Sequence, residues 1–561
     1  MGRCIQLLAS GSNGSGQLGI GHVEDVSTYT YCRFSHCDPD DTGLTRWSRF
    51  PGVILAVSSG AGHSLLLARE DEASGGRNDM GITIWTTGTN QYNQLGPAYE
   101  GDSIDPSHSL WKRLDYTSYI ETAGLPLGET NRYTPKEISC SWSTSIVCFE
   151  HSTQNTDGTW SKESDKTISF GTNDFGELGC GAVRGASSSS EQEHDLVRVV
   201  QLPQTRRTGE RLSVRKIKAS HRNIVCLCDW ISDADGETVI VGTVVYGWGA
   251  GRHGQLDVRT AVVAGMDMSG IPIAQAGITA AVTATERVAA GKGRAAAKAG
   301  SNRSIVTDAS AARAAAGPKM RRSDYPSSFP KPIEIDVASA VAGKIGLNGS
   351  LTVDDLAVGA GHVLFRLSTI AGEKTLIVGL GSNAKHQLDL NFASTRSGSS
   401  QWGDIGCTWN GSFMNEKGPG QEMWSTGTNT HGQLGQGQLA DDGQDVAPGL
   451  KRVAALSSDQ APPTVHEIVC GSEHVLAVTQ TGDGSPRVWT WGWNEHGNLG
   501  LGDDDVQDRW TPVEILLEPS QRLIGAWAGC GTTWLLVETM IDSETTALPM
   551  EIDRKPDGQS G

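Results

Sequence analysis

The chain has 561 residues and a formal net charge of −18, with 46 lysines and arginines against 64 aspartates and glutamates. This acidic balance disfavours a general nucleic-acid-binding protein and a protein held on an anionic membrane surface. Glycine contributes 70 residues, nearly double the usual share of about 7%, which is typical of a turn-rich all-β protein. The eleven cysteines are odd in number and scattered, which favours a reducing intracellular compartment. We expect the protein in the cytoplasm and nucleus.

A nine-residue glycine-rich motif recurs along the chain. Its first copy is Gly-Ser-Asn-Gly-Ser-Gly-Gln-Leu-Gly at 11–19, and six more lie at 88–96, 171–179, 249–257, 381–389, 427–435 and 492–500. The third residue is Asn in six copies, and the sixth is Gly, Asn or His. These residue types take positive φ most readily, so we predict left-handed geometry at both positions. The leucine at the eighth position should then point into a core.

A second motif, a Gly-x-x-His turn, alternates with the first. Its clear copies end at His63, His362 and His474, and degenerate copies begin at 141, 220, 408 and 529. Short runs of β-branched and aromatic residues flank both motifs, as expected for strands. One unit therefore holds four strands, and seven units predict a seven-bladed β-propeller.

The phase of the repeat predicts how the ring closes. The chain begins with the second half of a unit and ends with the first half. We therefore expect Leu7–Ser10 to pair with the strand of Trp534–Val537, which would leave no open sheet edge. Residues 1–541 should then form one propeller, with 542–561 as a flexible tail.

Uneven spacing between motifs predicts inserts. The longest, 258–335, is rich in Ala and Gly, and its segment 276–332 carries ten Lys and Arg against three Asp and Glu. It is short of large apolar residues, so we expect it to be mostly disordered. Segments 97–135, 180–212 and 436–465 are interpreted as further polar surface inserts.

The sequence offers no catalytic, cofactor-binding or metal-binding constellation. Repeated histidines are expected to be structural, bridging strands through their ring nitrogens. The stretch from Cys32 to Cys37 lacks a second pair of zinc ligands. Cys226 and Cys228 are expected to lie one in the core and one on the surface.

One position points to a binding surface. The second residue of the Gly-x-x-His turn is small in four units but is Trp142, His221 or Trp409 in the other three. These turns should lie at the channel mouth on one face, with the Gly-x-Asn turns beside them. Exposed tryptophans on a rigid rim are typical anchors for a protein partner, with acidic neighbours suited to a basic one. The alternative is that the rings plug the channel or pack between blades.

The paired motifs resemble those of the regulator of chromosome condensation repeat family, whose members form seven-bladed propellers. Within it, the opening at 11–25, the turn at 491–498 and the ending at 529–534 are similar to the fungal alpha-tubulin suppressor branch. That resemblance implies a non-enzymatic partner of a small CSL-type zinc protein, serving diphthamide synthesis and Elongator-dependent modification of tRNA wobble uridines. We also expect a monomer or heterodimer, and the acidic net charge leads us to expect no binding to DNA or to a membrane. Two alternatives stay open: a guanine-nucleotide exchange factor for a Ran-like GTPase, and a propeller lyase or hydrolase.

Overall fold

The chain folds into an all-β ring of seven sheets arranged around a central channel. This is a computed structural model. It describes residues 2–35, 50, 52–70, 81–96, 109–181, 197–233, 237–264, 325–345, 350–369, 374–391, 401–417, 422–437, 449–454, 464–480, 482, 484–502 and 507–541. Within these ranges, no helix is long and apolar enough to span a membrane.

The strands of the ring run in chain order as follows. They are β1 (Gly2–Gly11), β2 (Val26–Tyr31), β3 (Gly52–Ser59), β4 (His63–Glu70), β5 (Ile82–Gly88), β6 (Lys112–Arg113), β7 (Asn131–Cys140), β8 (Thr144–Gln154), β9 (Trp160–Lys162), β10 (Lys166–Gly171), β11 (Arg198–Val199), β12 (Glu210–Ala219), β13 (Asn223–Ser232), β14 (Val239–Ala250), β15 (Val262–Val263), β16 (Ser328–Glu334), β17 (Leu351–Val358), β18 (His362–Thr369), β19 (Thr375–Gly381), β20 (Gln401–Cys407), β21 (Gly411–Lys417), β22 (Met423–Gly427), β23 (Lys451–Arg452), β24 (Thr464–Cys470), β25 (His474–Gln480), β26 (Pro486–Gly492), β27 (Arg509–Ile515), β28 (Gln521–Ala528) and β29 (Thr532–Ile541). In the described ranges, two α-helices, α1 (Tyr116–Thr122) and α2 (Val337–Ile345), lie outside the sheets.

Each sheet is one blade, and its first strand faces the channel. From channel to rim, blade 1 is β28-β29-β1-β2, blade 2 is β3-β4-β5-β6, and blade 3 is β7-β8-β10-β11 with β9 attached to β8. Blade 4 is β12-β13-β14-β16, blade 5 is β17-β18-β19-β15, blade 6 is β20 to β23, and blade 7 is β24 to β27. The hydrophobic core lies between neighbouring blades, as where Leu65 of blade 2 packs with Phe149 of blade 3.

Blade 1 closes the ring with both ends of the chain, as the repeat phase predicts. β1 pairs along its whole length with β29, and Leu7 faces Leu536 while Ser10 faces Thr533. Each residue from Gly2 to Gly11 is therefore paired with a residue near the opposite end of the chain, and the predicted closure is confirmed.

The outermost strands were missed by the sequence analysis. Segments interpreted as surface inserts contain the two-residue strands β6, β11 and β23, and Trp111 and Leu450 beside them are fully buried. A two-residue strand carries no periodic signal, which explains the error. Each segment therefore also completes a blade.

The longest predicted insert also begins and ends inside the ring. β15 is the rim strand of blade 5, whereas β16, further along the chain, is the rim strand of blade 4. The strands in chain order β14, β15, β16 and β17 therefore alternate between blade 4 and blade 5. Pro330 and Pro332 in β16 argue against a strand from sequence, but an edge strand tolerates proline. Residues 265–324 and the tail 542–561 lie outside the described residues, so the expected disorder of both stays a prediction.

The Gly-x-Asn turns are stabilised by the asparagine side chain. The sixth residue has positive φ in all seven copies, from 57° at Asn93 to 84° at Gly176, as predicted. The third residue never does, so that expectation was wrong. Instead, the Asn Oδ1 accepts a hydrogen bond from the backbone N–H of the following leucine in all six Asn copies, at 2.7–3.1 Å. All seven of those leucines are buried.

The repeated histidines are buried between the strands, as expected of structural residues, and the expected bridge through a ring nitrogen is present at His474. His63, His362 and His474 are fully buried, and burial lowers their pKa values to about 3, about 4 and about 4. His474 Nε2 lies 3.0 Å from Thr533 Oγ1 in the next blade. Gly471 is needed beside it, because a Cβ there would lie 2.1 Å from the His474 ring. Neutral imidazoles thus form part of the packing between blades.

Candidate partner-binding face

The two kinds of turn meet on one face of the ring, which we call the lid face. Gly62 of a Gly-x-x-His turn accepts a hydrogen bond from the N–H of Thr89 in the neighbouring Gly-x-Asn turn, at 2.8 Å. Gly531 accepts one from Ser12 in the same way, also at 2.8 Å. The predicted shared face of the two motifs is therefore present.

Backbone hydrogen bonds join the Gly-x-x-His turns around the channel mouth. Ala61 N–H donates to the Trp142 carbonyl at 2.9 Å, and Trp142 N–H donates to the His221 carbonyl at 3.2 Å. Across the channel, Ala360 N–H donates to Trp409 at 3.0 Å, and Trp409 N–H donates to Ser472 at 2.8 Å. The second residue of each of these turns is thereby fixed at the rim of the channel.

The three candidate residues come together across the channel mouth. The Trp142 ring lies 5.0 Å from His221 and 5.7 Å from Trp409, and His221 lies 6.0 Å from Trp409. We call this cluster the aromatic lid. It forms because the remaining turns carry small residues such as Ala61 and Ala360, which leave the space above the channel free. The rings contact each other and also line the cavity beneath them.

The aromatic lid is only partly buried. Trp142 keeps 36% of its surface exposed, and His221 and Trp409 are half-buried. Burial lowers the pKa of His221, and the nearby cations Arg222 and Arg252 lower it further. Arginines thus lie beside the lid on this side together with the acidic Asp174, which pairs with Arg222, and partner binding by the lid stays a prediction.

Behind the lid, the channel holds a cavity of about 590 Å³ lined by the innermost strand of every blade. A β-bulge interrupts each of these strands. The residues just after or within the bulge include a set of charged side chains at the same level of the channel. They are Glu137, Lys216, Asp355, Asp404 and Glu467.

We call these five residues the charged girdle, and two of them make contacts between blades. Lys216 Nζ pairs with Asp355 of blade 5, and Asp404 Oδ2 accepts a hydrogen bond from the N–H of Ile468 in blade 7, at 2.6 Å. Burial raises the pKa of Asp404 and also that of Glu467. The sequence analysis missed the girdle, although each member stands four residues before the first residue of a Gly-x-x-His turn.

The cysteines do not form a metal site among the described residues, where no group of three potential ligands is close enough to hold an ion. Cys32 is buried, and burial raises its pKa to about 12, while residues 36 and 37 lie outside the described ranges. Cys226 and Cys228 are both fully buried, with their sulfurs 3.2 Å apart. The expectation of one surface cysteine was wrong because residues two apart share one side of a strand.

Comparisons with known proteins agree with this architecture. Two models described as the regulator of chromosome condensation (RCC1) repeat match residues 465–498 and 486–536. The ultraviolet-B receptor UVR8 of Arabidopsis thaliana is 32% identical over 110 residues, which cover 20% of this chain and 21% of that protein. A secretion-regulating guanine nucleotide exchange factor of Mus musculus is 32% identical over 117 residues, covering 20% and 24%. The matches thus span about a fifth to a quarter of these relatives.

The fold comparison covers nearly the whole chain. Prp20p from Saccharomyces cerevisiae, whose structure was described together with its binding to Gsp1p and histones, aligns with a TM-score of 0.54. The alignment covers 96% of this chain and 92% of that one at 14% identity, which establishes the fold alone. Residues 465–536 of this chain therefore match the regulator of chromosome condensation repeat, and the seven-bladed ring shares its fold with Prp20p.

Proposed function

We propose that the protein is a non-enzymatic interaction scaffold that docks a protein partner on its lid face. The partner we propose is the small CSL-type zinc protein of diphthamide synthesis, with a further role beside the Elongator machinery in tRNA wobble-uridine modification. The proposal places the protein in the cytoplasm and nucleus as a monomer or heterodimer. The identity of the partner rests on the resemblance to the alpha-tubulin suppressor branch.

One observation carries the proposed docking site. Trp142, His221 and Trp409 come from three different blades, yet their rings are in contact, and Trp142 remains 36% exposed. The turns that hold them are hydrogen-bonded to neighbouring turns, so little conformational entropy is lost when a partner binds. Rigid, partly exposed aromatic rings at the centre of a face are the residues that most often dominate binding energy.

The test is the double variant Trp142→Ala with Trp409→Ala, titrated with the purified zinc protein. Loss of a hot-spot pair should weaken binding by about 2 kcal/mol or more, roughly thirtyfold. Trp160→Ala is the matched control, because Trp160 is also 36% exposed but pairs with Gln154 at the end of β8 that is remote from the lid. That end is about 33 Å from the lid at the usual rise per residue.

Circular dichroism and thermal melting should show that both variants are folded. Full binding by a folded double variant would place the interface elsewhere. An equal loss in the Trp160 variant would point to a general effect of removing tryptophan.

A second candidate function is nucleotide exchange on a Ran-like GTPase. It is favoured by the similarity of the repeats to a protein described as a guanine nucleotide exchange factor. We rank it lower, because the net charge of −18 does not favour binding to chromatin. We expect no acceleration of release of a fluorescent GDP analogue from a Ran-type GTPase at micromolar protein. Release well above the spontaneous rate would reverse this ranking.

A further inference from the structure

Beside the aromatic lid lies a cationic cluster, built by blades 3 and 4, which we call the arginine patch. It consists of Phe175, Arg222 and Arg252. The Arg222 guanidinium lies 4.8 Å from the centre of the Phe175 ring, and the Arg252 guanidinium lies 5.6 Å from it. Arg222 directly follows His221 of the lid in the chain, and both arginines flank the same Phe175 ring, so the patch lies next to the lid.

The two arginines differ in how their charge is balanced. Arg222 pairs with Asp174 at 3.0 Å and lies 3.6 Å from the buried carboxylate of Glu177. Arg252 has no carboxylate within ion-pair distance in the described ranges of the chain. Arg222 is thus paired within the fold, whereas the charge that Arg252 presents beside the lid is not balanced by any carboxylate of the described residues.

We propose that the arginine patch receives an acidic segment of the docked partner, with a carboxylate on Arg252 and an apolar neighbour on Trp142. This inference rests on the proposed docking function and deepens it by naming the chemistry of the partner. A guanidinium held against an aromatic ring keeps its planar donors available, and these match a carboxylate in a bidentate pair. The geometry points to a local attraction on a chain whose net charge of −18 repels an acidic partner at long range.

The charge pattern makes a specific prediction for salt dependence. An acidic segment bound at Arg252 loses affinity as ionic strength rises from 0.05 to 0.3 M, because the pair is partly exposed and screened (the Debye length falls to about 10 Å at 0.1 M). A partner held by apolar packing alone would bind equally well across this range. The attraction must therefore disappear when the charge of residue 252 is reversed.

The experiment compares Arg252→Glu with the control Arg132→Glu. Arg132 makes the same type of contact, with its guanidinium 4.2 Å from the centre of the Trp160 side-chain ring. It lies at the end of blade 3 opposite to the lid face. Two probes are titrated: the zinc protein, and a fluorescently labelled twelve-residue peptide of Asp and Glu interrupted by Leu. We expect Arg252→Glu to weaken binding of both probes at least tenfold, and Arg132→Glu to change it less than twofold.

The two probes separate failure of this inference from failure of the proposed function. If the zinc protein does not bind the wild type but the peptide binds in an Arg252-dependent way, the patch stands and the proposed partner is wrong. If the zinc protein binds with an affinity that neither salt nor Arg252→Glu alters, the acidic-segment inference is overturned while the docking function survives. An oligothymidylate that competes with the peptide at equal concentration would overturn it in favour of nucleic acid, which also uses arginine and aromatic stacking.

Discussion

Replacing Asn13 by alanine should destabilise the propeller more than the same change at Asn429, although both occupy the third position of the same turn. Asn13 Oδ1 accepts from Leu18 N–H at 3.0 Å, and its Nδ2 donates to the His22 carbonyl at 2.7 Å and the Glu24 carbonyl at 3.1 Å. Asn429 Oδ1 accepts from Leu434 N–H at 2.9 Å, but its buried Nδ2 has no partner within the described residues.

The magnitude follows from these contacts. Either substitution leaves a leucine N–H without its acceptor, which costs about 1–3 kcal/mol when the group is buried. Asn13→Ala also loses two donated hydrogen bonds, each worth about 1 kcal/mol. We therefore expect the free energy of unfolding to fall by about 3–5 kcal/mol for Asn13→Ala and about 1–3 kcal/mol for Asn429→Ala.

Urea denaturation followed by tryptophan fluorescence measures both changes, provided that the m-value is unaltered. The difference between the two variants is the informative quantity, because the turn geometry and the residue removed are the same. Equal losses, or a larger loss at Asn429, would refute the view that the asparagine side chain supports each turn in proportion to its hydrogen bonds.

Three further predictions concern the whole ring. Deleting residues 1–20 should unfold the protein, because it removes β1 and buried Leu7, Leu18 and Ile20, each worth about 1.5–3 kcal/mol against a net stability of about 5–15 kcal/mol; an unchanged melting temperature would contradict the closure of blade 1. Wild-type stability should fall as the pH drops from about 6.5 towards 4, since the neutral, buried His474 binds its proton more readily when unfolded; a non-titrating His474→Gln variant should lose less over this range, and parallel pH profiles would argue against this role. Limited proteolysis should cut first near Arg313–Arg322 within the predicted basic insert. Protection of that segment in the free protein would contradict the expectation of disorder.

The sequence predicts the fold well because the repeated turns have strict steric demands. Only glycine, asparagine or histidine stands at the sixth position of the motif, where φ is positive, and this pattern reveals seven units. The closure by β1 and β29 follows from the phase of those units alone. Short rim strands such as β6 and β11 were not predicted, because two residues cannot show an alternation of polar and apolar side chains.

The candidate site was predicted only in part. Trp142, His221 and Trp409 stand out because they are large at a position where other units are small. Their mutual contact depends on the diameter of the channel mouth, which no local pattern reports. The arginine beside them, Arg252, belongs to a different motif, and only the packing of Phe175 between neighbouring turns brings it to the lid. The proposed site for an acidic segment could therefore be inferred only from the three-dimensional arrangement.

Hydrogen–deuterium exchange of the protein with and without the zinc protein tests the docking face most directly. We predict slower exchange on binding in the three turns at 141–143, 220–222 and 408–410, with the hairpin loop at 155–159 unchanged. Protection confined to that loop or to other segments at the far ends of the blades, with the lid turns unaltered, would contradict the proposed docking face.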